Sequence, residues 1–118
     1  MAHCLEAWAL VELGGRPLVS RIAGALVDAG ADPVRVVGGD ATAIGRLGLE
    51  VVADRWPGEG PLGGVVTALA DIEPVGDGIV VVLTCDLAAI GPAEIIGLVD
   101  ALVAEPGADI AAPEWKGQ

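Results

Sequence analysis

Four short motifs in this chain carry residue types suited to phosphate and metal chemistry. Asp86 closes the run Ile79-Val80-Val81-Val82-Leu83-Thr84-Cys85-Asp86-Leu87, and Asp54 closes Val51-Val52-Ala53. Gly38-Gly39-Asp40 follows Val34-Arg35-Val36-Val37, and Gly60-Pro61-Leu62-Gly63-Gly64 precedes a further apolar stretch. An apolar, β-branched run such as the first reads as a strand buried on both faces, the kind found in parallel α/β sheets. In those sheets ligands bind just past the carboxyl ends of the strands. Asp40, Asp54 and Asp86 each follow such a run, so a parallel sheet would open all three on one edge. Two carboxylates and a glycine turn at one edge suit a phosphorylated ligand with a divalent metal. Mg²⁺ takes oxygen ligands and keeps several waters, so one or two carboxylates suffice.

Each motif also has a plainer reading. Asp54 and Asp86 suit capping of the segments that follow them, since Asp at a helix N-cap is worth about 1 kcal/mol. Asp40 reads first as a turn residue. Glycines before a helix let a ligand approach the backbone and expose N–H donors to an anion. Gly60 to Gly64 nonetheless matches neither the P-loop nor the dinucleotide fingerprint, and a plain loop is an equal reading. Gly14-Gly15-Arg16-Pro17 reads as a tight turn feeding a helix, with Arg16 a lesser phosphate candidate. Trp8, Trp56 and Trp115 are too dispersed to form a stacking platform for bases. Trp56, beside Pro57, reads as a lid or packing residue.

The elements that would position these motifs alternate along the chain. Residues 17–29 read as a helix with Leu18, Val19, Ile22, Ala23, Leu26 and Val27 on one stripe, Pro17 in the first turn and Gly30 as the stop. Residues 34–37 read as a strand, 42–47 as a short helix closed by Gly48, and 50–53 as another strand. Residues 55–59 read as a loop. Residues 60–72 read as a loop that becomes a helix, with Leu62, Val65, Val66, Leu69 and Ile72 at helical spacing. The strand over 79–87 follows, then a helix over 92–104 with Ile95, Leu98, Val99 and Leu102 inward, and a last strand over 108–112. Strands alternating with helices predict βαβ units with right-handed crossovers: a doubly wound, mostly parallel α/β sheet with helices on both faces.

Composition narrows the function classes. The chain has 118 residues, 53% hydrophobic, with 18 glycines and 8 prolines. That suits one folded domain over residues 1–118 and not a disordered segment. No apolar stretch reaches the roughly 18 residues needed to cross a bilayer, and no secretory signal is evident, so a cytoplasmic protein with no membrane partner is expected. Net charge is −11, from 17 acidic and 6 basic residues, and the cations are scattered. No nucleic-acid partner is expected without a basic patch. Two cysteines without a Cys-x-x-Cys, and His3 as the sole histidine, argue against a disulfide framework, a zinc site or a Ser-His-Asp triad.

The motifs also resemble a known family. Glu12-Leu13-Gly14-Gly15-Arg16-Pro17-Leu18, Val51-Val52-Ala53-Asp54, Gly60-Pro61-Leu62-Gly63-Gly64 and Leu83-Thr84-Cys85-Asp86-Leu87 are similar, in order and spacing, to blocks of the molybdenum cofactor guanylyltransferases, the MobA-like NTP transferases. The resemblance covers nearly the whole chain from Val11 on. It implies a nucleotide-diphospho-sugar transferase-like fold and transfer of GMP from GTP to molybdopterin with release of pyrophosphate. It implies Asp86 as the catalytic residue, binding Mg²⁺ and the nucleotide phosphates. Asp54 would be a nucleotide contact, as would Gly38, where the family commonly has an asparagine. Gly60, Pro61, Leu62, Gly63 and Gly64 would line the site near the transferred group. Cytidylyl transfer, another small-molecule nucleotidyl transfer, and a non-catalytic binding or assembly role are the alternatives.

The departures from the family are at the ends. The family opens with a strand and a loop of the type Leu-Ala-Gly-Gly-x-x-x-Arg-Met-Gly-x-x-Lys, which wraps the triphosphate. Residues 1–8 occupy that region here, and Trp8 stands where the lysine belongs. On this reading the first strand, the loop and the C-terminal part are lacking. Removing one charge-stabilising donor commonly costs about 10²–10³ in rate, so little or no transferase activity is expected. A lost first strand would expose its sheet neighbours and favour self-association.

Overall fold

A computed structural model describes residues 2–3, 12–71, 78–84 and 90–112. In chain order the elements are β1 (Ala2–His3), β2 (Glu12–Leu13), β3 (Arg16–Pro17), α1 (Leu18–Asp28), β4 (Arg35–Val37), α2 (Ala41–Gly45), β5 (Glu50–Val52), α3 (Gly60–Asp71), β6 (Leu83–Thr84) and α4 (Pro92–Ala104). Four strands form one parallel sheet in the order β5-β4-β1-β6. The order runs outward from β1 through β4 to β5, then returns to β6 on the other side of β1. That reversal is the switch point of a doubly wound sheet.

The period of two along each strand divides the core between the two faces. Val36, Val51, Val81 and Leu83 join Val19, Ile22, Leu26, Ile44 and Ile95 on one face. Their neighbours Val37, Val52 and Val82 meet Ala68 on the other. Helices α1, α2 and α4 thus supply the first face and α3 the second, as the alternating pattern requires. Arg35 fastens the layers at one side: its Nε lies 3.1 Å from Glu50 on β5, and its Nη1 lies 3.0 Å from Asp71 at the end of α3. The Glu50 carboxylate, more than Asp71, raises the guanidinium pKa above its ordinary value.

Helix α1 follows its sequence signals closely. It buries Leu18, Val19, Ile22, Ala23, Ala25 and Leu26, while Val27, expected on the stripe, is exposed. Its end is a Schellman motif: the Gly30 N–H donates to Val27 O and the Ala31 N–H to Leu26 O. Helix α4 begins at Pro92 as expected, and the Glu94 carboxylate accepts from the Gly91 N–H at 3.0 Å. The Gly14-Gly15 turn joins β2 to β3 as a small antiparallel hairpin.

Four expectations are corrected. The first strand is present: Ala2–His3 pairs with Val36–Val37 on one side and Leu83–Thr84 on the other. The sheet is therefore not opened between β4 and β6, which removes the ground given for self-association. Two residues carry no periodic signal, so a long-range pairing of this length is invisible locally. Of the run over 79–87, residues 79–82 form no strand and Leu83–Thr84 pairs with Ala2–His3, while residues 85–87 lie outside the described residues. Residues 108–112 form no strand, and Ile110 is 84% exposed; no strand among the described residues lies alongside them.

The last correction concerns 60–72. The segment does not begin as a loop, because α3 starts at Gly60, directly after the loop over 53–59. Pro61 falls in the first turn, where the N–H it lacks has no intrahelical partner. The helix is also turned from its expected face. Leu62, Val66 and Leu69 are exposed, while Gly63, Gly64, Thr67 and Ala68 are buried. Ile72 lies outside the described residues.

Candidate functional site

The strand ends β4 and β5 meet at the carboxyl edge of the sheet. The Gly38 N–H donates to Val52 O at 2.8 Å and prolongs the pairing by one residue. Gly38 then turns with φ +76°, a left-handed conformation open to glycine and, among side-chain residues, best tolerated by Asn and Asp. Space does not require the glycine, since an added Cβ would meet Asp54 Cβ at an ordinary 3.7 Å. The same distance shows that Gly38 and Asp54 stand side by side. Asp40 has the plainer role: its Oδ1 accepts from the Thr42 and Ala43 N–H groups at 3.1 Å and caps α2.

Asp54 is held from two directions. Its Oδ1 accepts the Trp56 N–H at 2.9 Å, an Asx turn, and lies 3.1 Å from the Thr67 hydroxyl. Thr67 is fully buried on α3. Its oxygen accepts the Arg55 N–H at 3.0 Å and lies 2.9 Å from the Gly63 carbonyl. One hydroxyl proton serves either Asp54 or Gly63, so Thr67 bridges the strand end, the following loop and the helix. The loop sits directly on the first turns of α3. A Cβ at Gly63 would fall 2.7 Å from the Trp56 carbonyl oxygen and 3.1 Å from Trp56 Cβ. Glycine at 63 is therefore what lets backbone meet backbone here.

The structure thus brings together Gly38, Asp54 and Gly63, and shows that the Gly60–Gly64 stretch is helix, with Leu62 exposed. Trp56 is not a packing residue: it is 53% exposed. β6 ends at Thr84 on the same edge, because all four strands are parallel. Cys85 and Asp86 lie outside the described residues. Thr67 was not singled out from sequence. Its signal was a polar residue four positions after Gly63 in an otherwise apolar helix, the spacing that puts a threonine hydroxyl on the i−4 carbonyl.

Other surfaces fit the chemistry less well. Arg16 donates to the Ser20 carbonyl at 3.3 Å and, with Arg21 and Asp28, lines a groove of about 250 Å³ that includes no residue of the Gly38–Asp54 edge. Among the described residues no group of three or more His, Cys, Asp or Glu is arranged to hold a metal ion. The donors available for Mg²⁺ at the carboxyl edge are carboxylate oxygens, the class that ion prefers. Among the described residues no helix is long and apolar enough to cross a membrane.

A four-stranded parallel sheet of this order, with its glycine turn and carboxylate on the carboxyl edge and a glycine-opened helix behind them, defines a nucleotide-diphospho-sugar transferase-like domain. The sequence profile of the MobA-like NTP transferase domain matches residues 7–118, and the chain belongs to that family. Among solved structures it is similar to CMP:2-keto-3-deoxy-manno-octonic acid synthetase complexed with CTP. The TM-score is 0.74 at 19% identity, over 90% of this chain and 47% of that one. The chain thus spans about half the length of that structure. Against curated proteins, no sequence match is found.

Proposed function

We propose that this chain is a nucleotidyltransferase domain of molybdenum cofactor biosynthesis, cytoplasmic, whose reaction is transfer of GMP from GTP to molybdopterin, with turnover much reduced because residues 1–8 stand in place of the family's triphosphate-wrapping loop. The observation that carries the reading is the family match over residues 7–118. The convergence of Gly38, Asp54 and the start of α3 at one sheet edge supports it. An oxygen of the acceptor phosphate attacks the α-phosphorus of the nucleotide, and the bond to pyrophosphate breaks. Asp54, fixed by Trp56 and Thr67, contacts the nucleotide, and the turn at Gly38 leaves the strand end open to it. The first turns of α3, from Gly60 to Gly64, line the space near the transferred group, with N–H groups that have no intrahelical acceptor. Asp86 would hold Mg²⁺, which would supply positive charge to offset that of the phosphates.

A second reading is transfer of CMP from CTP, and the likeness to a synthetase complexed with CTP favours it. Thermal unfolding with Mg²⁺ and either GTP or CTP separates the two. At 100 times Kd a ligand stabilises by about 2.7 kcal/mol, a readily seen midpoint shift. GTP is expected to raise the midpoint more than CTP, and Asp86→Asn to abolish the Mg²⁺-dependent part. The reverse order supports cytidylyl transfer. A shift without pyrophosphate release when molybdopterin is added assigns a binding role. No shift with either nucleotide contradicts both transfer readings.

A further inference from the structure

We propose that Trp56 is a stacking platform for a planar nitrogen heterocycle at the carboxyl edge, which makes it a ligand-binding residue of the site. The inference rests on the nucleotide reading above and adds a residue to it. Three observations carry it together. The first is rigidity: the Trp56 N–H donates to Asp54 Oδ1 at 2.9 Å, and its carbonyl accepts the Glu59 N–H at 3.2 Å. The preceding Arg55 N–H is held by the fully buried Thr67 hydroxyl. The second is seating: at Gly63 the helix contributes no side chain, and the Trp56 backbone occupies the space a Cβ would need. The third is exposure: despite this frame, Trp56 is 53% exposed.

A tryptophan needed for the core would be buried, and one on a loose loop would lack this frame. Trp56 is fixed at its backbone and open to solvent, two residues from Asp54. Tryptophan presents a large rigid face at low entropic cost, and a face fixed in advance binds with less ordering. Aromatic stacking on a base is sequence-tolerant, because every base has a π-face. Two rings fit this chemistry: the base of the nucleotide and the pterin of the acceptor. Both are planar nitrogen heterocycles, and the test separates them.

The experiment titrates the full chain, with Mg²⁺, against GTP, neopterin and inorganic tripolyphosphate by calorimetry. Wild type is compared with Trp56→Ala, Trp56→Phe and, as an exposed apolar control, Leu69→Ala. Trp56→Ala is expected to weaken GTP or neopterin by at least about fivefold, the lower end of stacking effects. Trp56→Phe should retain most of the affinity, and tripolyphosphate should bind all four proteins alike. The arm that moves identifies the ring. Unchanged GTP and neopterin affinities in Trp56→Ala overturn the stacking role and leave the nucleotide reading intact. An equal loss for tripolyphosphate overturns it too, because the residue would then act only by holding the loop. If wild type binds neither GTP nor neopterin, the guanylyl reading fails and the stacking role falls with it. Circular dichroism midpoints confirm that each variant is folded.

Discussion

Helices α1 and α3 are of similar length and lie on opposite faces of one sheet, yet they bury opposite kinds of residue. Helix α1 turns Leu18, Val19, Ile22 and Leu26 inward. Helix α3 turns Gly63, Gly64, Thr67 and Ala68 inward and leaves Leu62, Val66 and Leu69 exposed. Burial of apolar area alone would choose the other face of α3. What that face lacks is Gly63, which admits the Trp56 backbone, and Thr67, which anchors Asp54 and Arg55. Helix α1 holds the domain together, whereas α3 shapes the carboxyl edge at the expense of its own apolar contacts.

The contrast is broken most severely in α1. Leu26 is fully buried, and Leu26→Ala is expected to cost about 2–5 kcal/mol in denaturant unfolding, with an unchanged slope. Thr67→Val comes next. It keeps the shape but leaves the Arg55 N–H without its partner, for a cost of about 1–3 kcal/mol, and Thr67→Ser should recover most of it. Nucleotide affinity should fall in Thr67→Val and remain unchanged in a variant of α1 that still folds. Gly63→Ala gains about 1 kcal/mol of helix propensity but drives a Cβ into the Trp56 carbonyl. Because such crowding costs about 1–3 kcal/mol, a net loss of about 1 kcal/mol is expected. Leu69→Gln sharpens the comparison from the other side, with an effect within about 0.5 kcal/mol. A loss at Leu69 as large as that at Leu26 would mean that the two helices do not differ as described.

The same contrast marks what could be read from sequence. Helices α1 and α4 were legible because a stripe, a proline in the first turn and a stop signal agreed with one another. The alternation of strands and helices gave the parallel sheet, and Asp54 fell at a strand end as expected. The face of α3 was not legible, because it carries apolar residues nearly all round and periodicity cannot weigh them against the contact of Gly63 with the backbone of Trp56 in the preceding loop. Thr67 escaped notice for the same reason: its partners Asp54 and Arg55 are distant in sequence. The strand at Ala2–His3 and the absence of one at residues 108–112 share another cause, since a strand exists only where a partner strand lies beside it. Asp86, the strongest motif in the sequence, lies outside the described residues.

The central claim is that a nucleotide binds at the carboxyl edge, between Gly38, Asp54 and the start of α3. Amide chemical-shift mapping of the isotopically labelled chain with GTP and Mg²⁺ tests it most directly. The account predicts the largest changes at Gly38, Asp54, Trp56 and residues 60–64, with the indole N–H of Trp56 among them. Changes confined to the groove of Arg16 and Arg21, or none at saturating GTP, would contradict it.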